Sequence, residues 1–519
     1  MNTEPRSENA PATTEPDELT RRVRAAVAAL ETLVENRVRM TELPNELRER
    51  LLTASGRLVR PTPQERRTYN KERRRKRARA RRSADEAVLD RARIRTQRLE
   101  LVYPTPEEQA GSESSGTAST PPASPGTLAE ARTCYICKAE FREVHGFYDA
   151  MCGDCAELNW RKRNQSADLR GRVALLTGGR VKIGYQTGVK LLRAGARLIV
   201  TTRFPRDAAA RYLREPDSAS WADRLEIFGL DLRHTPSVEA LCVHLRECYD
   251  RLDILINNAC QTVRRPPGFY AHLMASEAGG VTSLPPPLRA ALARYEKLRS
   301  EGLLPDAAAR GPNARPVGIE RAADLSQLAL VEGDSDGGEH LFPTDRLDAD
   351  LQQVDLRERN SWRLALAEVP TVELLEVHLV NAVAPFVLNA RLKPLMLQVP
   401  TRDKHIVNVS AMEGQFYRRC KTDKHPHTNM AKASLNMMTR TSAPDYERDG
   451  IFMNSVDTGW ITDEDPLHIT LRKREEHGFH CPLDHVDAAA RILDPVFDGH
   501  NTGRHVWGQF LKDYAPTRW

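Results

Sequence analysis

The amino-acid sequence predicts an α/β protein: a doubly wound parallel sheet with a large insertion, preceded by a small four-cysteine module and a helical, basic N-terminal region. Three observations predict it. From Leu169 onward short apolar runs alternate with helical patterns, as in parallel sheets covered by helices on both faces. One run, Val173-Ala174-Leu175-Leu176, breaks at Thr177-Gly178-Gly179 and passes into helical spacing from Ile183. Upstream, two Cys-x-x-Cys pairs lie fourteen residues apart.

In chain order, residues 1–16 are rich in Pro, Thr and Glu and read as disordered. Residues 17–103 read as a helical region. Its first helix covers about 17–40, where Leu19, Val23, Val27, Leu30, Val34 and Val38 recur at three- and four-residue steps and would pack on a partner helix. The run 66–82 holds eleven Lys/Arg and one Glu, a net +10 in a chain whose total is +6, so the remainder sums to −4. The basicity is one local device. It suits phosphate-backbone binding by counterion release, and a nucleic acid or an acidic protein is the partner it implies; the alternative is a solvated segment with no specific partner. Residues 104–129 read as a linker centred on GSESSGTASTPPASPG.

Residues 130–165 hold Cys134, Cys137, Cys152 and Cys155. Two knuckles at this spacing suit a closed, structural zinc site, which would fold the module and leave no open position for a substrate. A redox-active pair is the competing reading. Nine cysteines, an odd number, fit reduced thiols plus a metal better than a disulfide framework. With no secretory signal and no apolar stretch of membrane-spanning length, the default location is cytoplasmic, with no membrane partner.

Residues 166–519 form the main domain. After Val173–Leu176 the expected strands are 197–202, 225–232 and 252–259. The turn Thr177, Gly178, Gly179, Arg180, Lys182, Ile183, Gly184 would present backbone N–H groups to a dinucleotide pyrophosphate. At Arg203, nineteen residues past Gly184, an acidic residue would bond the ribose of NAD(H). An arginine accommodates the 2′-phosphate of NADP(H), the favoured cofactor, and Arg180 and Arg206 lie nearby in sequence.

Thr177-Gly178-Gly179…Ile183-Gly184, Asp231-Leu232, Asn257-Asn258-Ala259, HIVNVS (405–410), KASLN (432–436) and NSVDTG (454–459) together resemble the short-chain dehydrogenase/reductase (SDR) family, over about 169–259 and 356–519. The resemblance implies a Rossmann-like fold, a homo-oligomer and hydride transfer at a carbonyl or alcohol carbon. It also implies that Asp231 and Leu232 lie at the adenine, and Asn258 and Ala259 under the nicotinamide. Of the four residues that carry the family's reaction, Asn381 matches the Asn and Lys432 the Lys. The usual Tyr is Thr428 and the usual Ser is Ala411, with Ser410 beside it. An aliphatic hydroxyl cannot do the work of a phenol near neutrality. The segment 412–427 offers Tyr417 as first substitute and His427 as second, with His425 also present; Arg418, Arg419, Lys421 and Lys424 would suit an anionic small-molecule substrate. Lys182 stands where the family usually carries its middle glycine, so it either crowds the pyrophosphate or reaches it with an ammonium. Between Ala259 and Asn381 lie 121 residues, in which about 262–355 read as an inserted subdomain, either a lid or an interaction surface. Two functions remain open: an NADP(H)-dependent oxidoreductase with a non-standard proton donor, or an inactive NADP(H)-binding scaffold or sensor.

Overall fold

The computed structural model describes residues 15–106, 120–280, 282, 284–300, 317–417 and 421–519. It divides into two units, Met1–Ser83 and Ala84–Trp519. Most of the disordered N-terminus read from the sequence, the centre of the linker, and Arg418 and Arg419 lie outside the described residues.

The first unit is helical: Glu15–Glu35, Asn45–Val59 and the part of Pro63–Leu89 up to Ser83. The last begins at a reciprocal cap, in which Glu65 Oε2 accepts from Thr62 N and Thr62 Oγ1, both at 2.8 Å. The apolar stripe Leu19, Val23, Val27, Leu30 and Val34 is exposed, and none of the unit's described residues is buried. The helix expected over about 17–40 is present but ends earlier. The α-helix stops at Glu35, Asn36 caps a 3-10 turn over Arg37–Glu42, and the stripe covers no partner within the unit.

The second unit opens with a segment that buries Leu89, Ala92 and Ile94, followed by the antiparallel pair β1 (Gly126–Thr133) and β2 (Glu140–Val144) and the helix Gly153–Arg163. The central sheet follows: β3 (Val173–Thr177), β4 (Arg197–Thr202), β5 (Leu225–Gly229), β6 (Ile254–Asn257), β7 (Lys404–Ser410), β8 (Ile451–Asp457), β9 (Phe510–Lys512) and β10 (Ala515–Thr517). Their order is β10-β9-β8-β7-β6-β3-β4-β5, parallel except for the β10–β9 edge pair. Every residue of β3, β5, β6, β7 and β8 is buried, so none of these strands shows the polar–apolar alternation of a half-exposed sheet; β3 is almost wholly apolar, whereas β7 and β8 bury polar residues such as His405, Asn408, Asn454 and Ser455. The chain leaves β3 toward β4 on one side and returns to β6 on the other. That reversal opens a crevice at the carboxyl ends of the strands.

Two described helices of the insertion contribute to the hydrophobic core. On the helix Pro286–Ser300, Ala291, Leu292, Tyr295 and Leu298 are buried in the main hydrophobic cluster, and the Tyr295 hydroxyl donates to Ile319 O at 2.9 Å. On the helix Pro267–Ala278, Phe269, Tyr270 and Leu273 pack with Phe204 and Phe342 beside the end of β4. Among the described residues one run, Thr371–Met396, is long and apolar enough by length and composition to cross a membrane, which corrects the expectation that none is. Here it lies against the sheet and carries the buried Asn381 and Asn389.

Candidate active site

The cysteine module sits directly on the domain. Arg163 holds Asp484 and Asp487 at 2.6 and 2.9 Å, all three buried, and the Tyr148 hydroxyl donates to Asp487 Oδ1 at 2.6 Å. Phe147, Tyr148, Met151 and Ala156 share one hydrophobic cluster with Ile461, Leu483 and Ala488. The Sγ atoms of Cys134, Cys137, Cys152 and Cys155 all lie within 4.8 Å of one another, Cys137 and Cys152 at 3.5 Å. Four thiolates at about 2.3 Å from one zinc stand a little under 4 Å apart, so the group fits a tetrahedral ion. His145 is no member of it, because its Nδ1 accepts from Phe147 N and Tyr148 N.

A cavity of about 1080 Å³ occupies the crevice. At its floor Gly178 has φ +68, and a Cβ there would stand 2.8 Å from Ala259 Cα, so the turn accepts only glycine. Asn258 Nδ2 donates to Thr177 O and Gly178 O at 3.0 and 3.1 Å, and Thr177 Oγ1 accepts from Ala259 N at 3.0 Å. These bonds join the ends of β3 and β6 under the turn. Gly179 accepts the Tyr212 hydroxyl on its carbonyl, and Ile183 and Gly184 line the cavity in the first turn of the helix Lys182–Arg193. Lys182 has φ +54: the lysine keeps the left-handed backbone that suits a glycine. Its ammonium faces acid groups. Burial pushes the Glu464 carboxyl up, but Lys182, Thr462 and Arg265 outweigh it and the net shift is down.

At the other end Arg203 Nη2 donates to the Tyr270 hydroxyl at 2.6 Å, and Arg203 has no carboxylate within 4 Å among the described residues. Arg180 lines the cavity but is bound to Asp207 at 2.7 Å. Arg206, expected to join these two, is turned to Gly279 O and to Glu296 at 3.7 Å and does not line the cavity. Leu232 and the buried Asp231 do line it, with the Asp231 carboxylate held by Arg233.

Asn381 lies in a π-helical turn, Leu379–Val383, where its amide accepts from Gln261 N at 2.8 Å and donates to Gln261 O at 3.0 Å. Lys432 lines the cavity and donates to Val409 O at 2.8 Å. Ser410 and Ala411 both line it, because β7 ends at Ser410 and the alternation of faces ends with it; the buried Ser410 hydroxyl has no hydrogen-bond partner. The structure does not bring the other candidates to the cavity. Thr428 is buried beneath the wall with its hydroxyl unpartnered, and Tyr417 is 80% exposed in the loop after β7. His427 is buried 3.3 Å from Glu373.

In their place stands His425, at the start of the helix Pro426–Arg448. It has φ +42, its ring stacks on Trp362 at 3.8 Å and 10°, and its buried Nδ1 has no partner. Burial lowers its pKa, with Glu413 and Asn429 acting the other way, so the ring is neutral at pH 7. Sequence reasoning missed Trp362, Asp457 and Tyr135, Ile136 and Lys138 of the first knuckle, all of which line the cavity together with residues 460–465, part of the segment 460–482 on which the pocket shape is expected to depend from sequence. Asp457 and Tyr135 stood inside motifs already recognised, which was the available signal.

A parallel sheet with a glycine turn at its switch point and Lys432 in the wall of the crevice, with Asn381 buried behind Gln261 and outside the cavity lining, defines a dinucleotide-binding domain of the dehydrogenase type. The short chain dehydrogenase profile matches residues 172–272. Over 399 residues the chain is 30% identical to "Uncharacterized protein R665" of Acanthamoeba polyphaga mimivirus, covering 73% of this chain and 74% of that one. "Dehydrogenase/reductase SDR family member 13" of Bos taurus is 38% identical over 106 residues, which is 19% of this chain and 27% of that protein. The match to this second relative thus spans about a quarter of its length. Among solved structures, the RhlG/NADP active-site complex of Pseudomonas aeruginosa aligns at 17% identity and TM-score 0.40, covering 66% of this chain and 95% of that one. The chain belongs to the short-chain dehydrogenase/reductase family, a family of oxidoreductases.

Proposed function

We propose that the protein is an NADP(H)-dependent oxidoreductase acting at a carbonyl/alcohol carbon with a proton-transfer group other than tyrosine. The observation that carries the cofactor choice is Arg203: a cation at the end of β4, facing the cavity, bonded to the Tyr270 phenol and with no carboxylate within 4 Å among the described residues. When bound, the nicotinamide accepts or supplies the hydride. Lys432 spends one of its N–H groups on Val409 O and keeps others for a ribose or a substrate oxygen. The unpartnered Ser410 hydroxyl takes the substrate oxygen as Ala411 cannot. His425, neutral and in the wall, is the base that takes the hydroxyl proton as an alcohol gives up its hydride, and returns it in the reverse direction. Lys421 and Lys424 line the same wall and favour an anionic substrate.

The second reading, a cofactor-binding scaffold, is favoured by Thr428, whose short side chain stays below the wall. A fluorescence titration against NADPH and NADH tests the premise common to both readings. Turnover on a carbonyl and alcohol panel that is identical in wild type and in Lys432→Ala leaves only the scaffold. The four thiolates are assigned one structural zinc per chain, and the exposed helical run 66–82 a nucleic-acid partner.

A further inference from the structure

The module that carries the four cysteines is not a separate appendage. Tyr135, Ile136 and Lys138 line the same cavity as Gly178, Ser410 and Lys432. Two of the three lie between Cys134 and Cys137, the residues whose thiolates would fix the turn. We propose that the first cysteine knuckle is a wall of the active site and that Tyr135 is a positioning residue, which holds the segment Gly459–Asp465 in place and couples metal loading to the shape of the substrate end. The inference rests on the oxidoreductase reading for its meaning, but not for its test.

The contact is specific. The Tyr135 hydroxyl oxygen accepts the Trp460 N–H at 3.1 Å. The residue before it is Gly459, whose φ of +83 favours glycine; a Cβ there would stand 2.5 Å from Leu483 Cδ1 and in ordinary contact, at 3.4 Å, with the Tyr135 hydroxyl. The Tyr135 ring is flanked by two ammoniums, Lys138 Nζ at 5.4 Å and Lys512 Nζ at 5.6 Å from its centroid. Lys512 Nζ in turn lies 3.8 Å from Asp457, the last residue of β8 and part of the cavity wall. From Trp460 the chain continues through Ile461, Thr462, Asp463, Glu464 and Asp465, every one a wall residue.

The attachments differ along the module. Its base is held without the metal, by the buried pairs Arg163–Asp484 and Arg163–Asp487, by Tyr148 on Asp487 and by the shared apolar cluster. Its tip is a tight turn, with Lys138 at φ +66, held by a few backbone hydrogen bonds (Tyr135 N to Ala150 O at 2.8 Å, Lys138 N to Cys134 O at 3.2 Å), and four thiolates converging on one metal would fasten it to the second knuckle. Loss of the metal therefore frees the tip first, and with it the acceptor of the Trp460 amide.

The test is hydrogen–deuterium exchange on the full chain, read in the peptide covering 459–465 and in one covering 484–498. Tyr135→Phe removes the acceptor and keeps the ring, so exchange at Trp460 is expected to rise about five-fold, the factor that one net hydrogen bond represents. Zinc content and the 484–498 peptide are expected to stay unchanged. Chelation of the zinc-loaded wild type is expected to reproduce the effect at 459–465. Unchanged exchange there in Tyr135→Phe overturns the positioning role, and fewer than one zinc per chain overturns the coupling. If chelation deprotects both peptides, Tyr135→Phe decides alone. A wild type that binds neither NADPH nor NADH refutes the oxidoreductase reading and leaves these exchange results standing.

Discussion

The Arg203 guanidinium lies over the ring of Tyr270, 4.6 Å from its centroid, while Nη2 donates to the hydroxyl of the same side chain at 2.6 Å. Tyr270 comes from the insertion, so the insertion aims the cation to which we ascribe the cofactor choice in the proposed function. Burial pushes the Tyr270 phenol up, but Arg203, Arg265 and Arg180 outweigh it and the net shift is down. Arg203→Ala is expected to weaken NADPH binding about 10- to 100-fold, the worth of hydrogen bonds to a charged group, and NADH binding much less. Tyr270→Phe should cost NADPH a smaller factor by loosening the arginine. Fluorescence titration of the two cofactors checks both, and equal losses for NADPH and NADH would remove the 2′-phosphate from the argument.

Lys182 combines two features that substitution can separate: a left-handed backbone at φ +54 and a side-chain charge in the cavity wall. Lys182→Met and Lys182→Gly both remove the ammonium, and both should lower NADPH affinity by roughly three- to ten-fold, the worth of one ordinary net hydrogen bond. Only glycine relieves the backbone. The glycine variant is expected to be more stable than the methionine variant by about 1 kcal/mol in urea melts.

The sheet was legible because parallel strands buried on both faces must be apolar runs, and β3, β4, β5 and β6 were read that way to within a few residues. The cofactor floor was legible for a different reason: only glycine tolerates φ +68 against Ala259, so the backbone requirement shows as a letter. The proposed replacement for the missing tyrosine was legible only as one of three, with His425 named in the segment 412–427 behind Tyr417 and His427. Tyr417 looked best by chemistry, but solvent exposure of a loop residue is set by tertiary packing that periodicity does not report. His425 is brought to the wall by stacking on Trp362, sixty-three positions earlier, a pairing with no local signature. The knuckle's place at the cavity was hidden in the same way, since Tyr135 and Trp460 meet across 325 residues.

The basic run is helical and exposed along its whole length, with only Glu72 among its cations. Phosphate neutralisation by such a helix sets the slope of log K against log salt, at about −0.9 per contact for duplex DNA. Replacing Arg73, Arg74, Arg75, Lys76 and Arg77 by Gln should flatten that slope by about four units and weaken binding equally for all sequences. A slope that does not change under this substitution would place the contacts elsewhere.

Glu277 ties the insertion to the sheet, since its carboxylate accepts the N–H groups of Arg206 and Asp207 at 3.1 and 3.0 Å, in the first turn of the helix Pro205–Tyr212. Burial pushes its pKa up to about 7, against those two backbone hydrogen bonds, from an ordinary value of 4.5. Between these two values the folded protein holds a proton that the unfolded chain has lost. The stability this contributes is therefore full below pH 4.5 and is lost as the pH rises through 7. Glu277→Gln keeps an oxygen acceptor and cannot ionise. It is expected to match the wild type near pH 4.5 and to exceed it at pH 8 by up to ~3 kcal/mol, since each tenfold change in proton affinity between the folded and unfolded chains is worth about 1.4 kcal/mol. Urea denaturation of both proteins across this range checks it: a gap that opens with rising pH is the expected result, and parallel curves would show that the Glu277 carboxylate is solvated rather than buried.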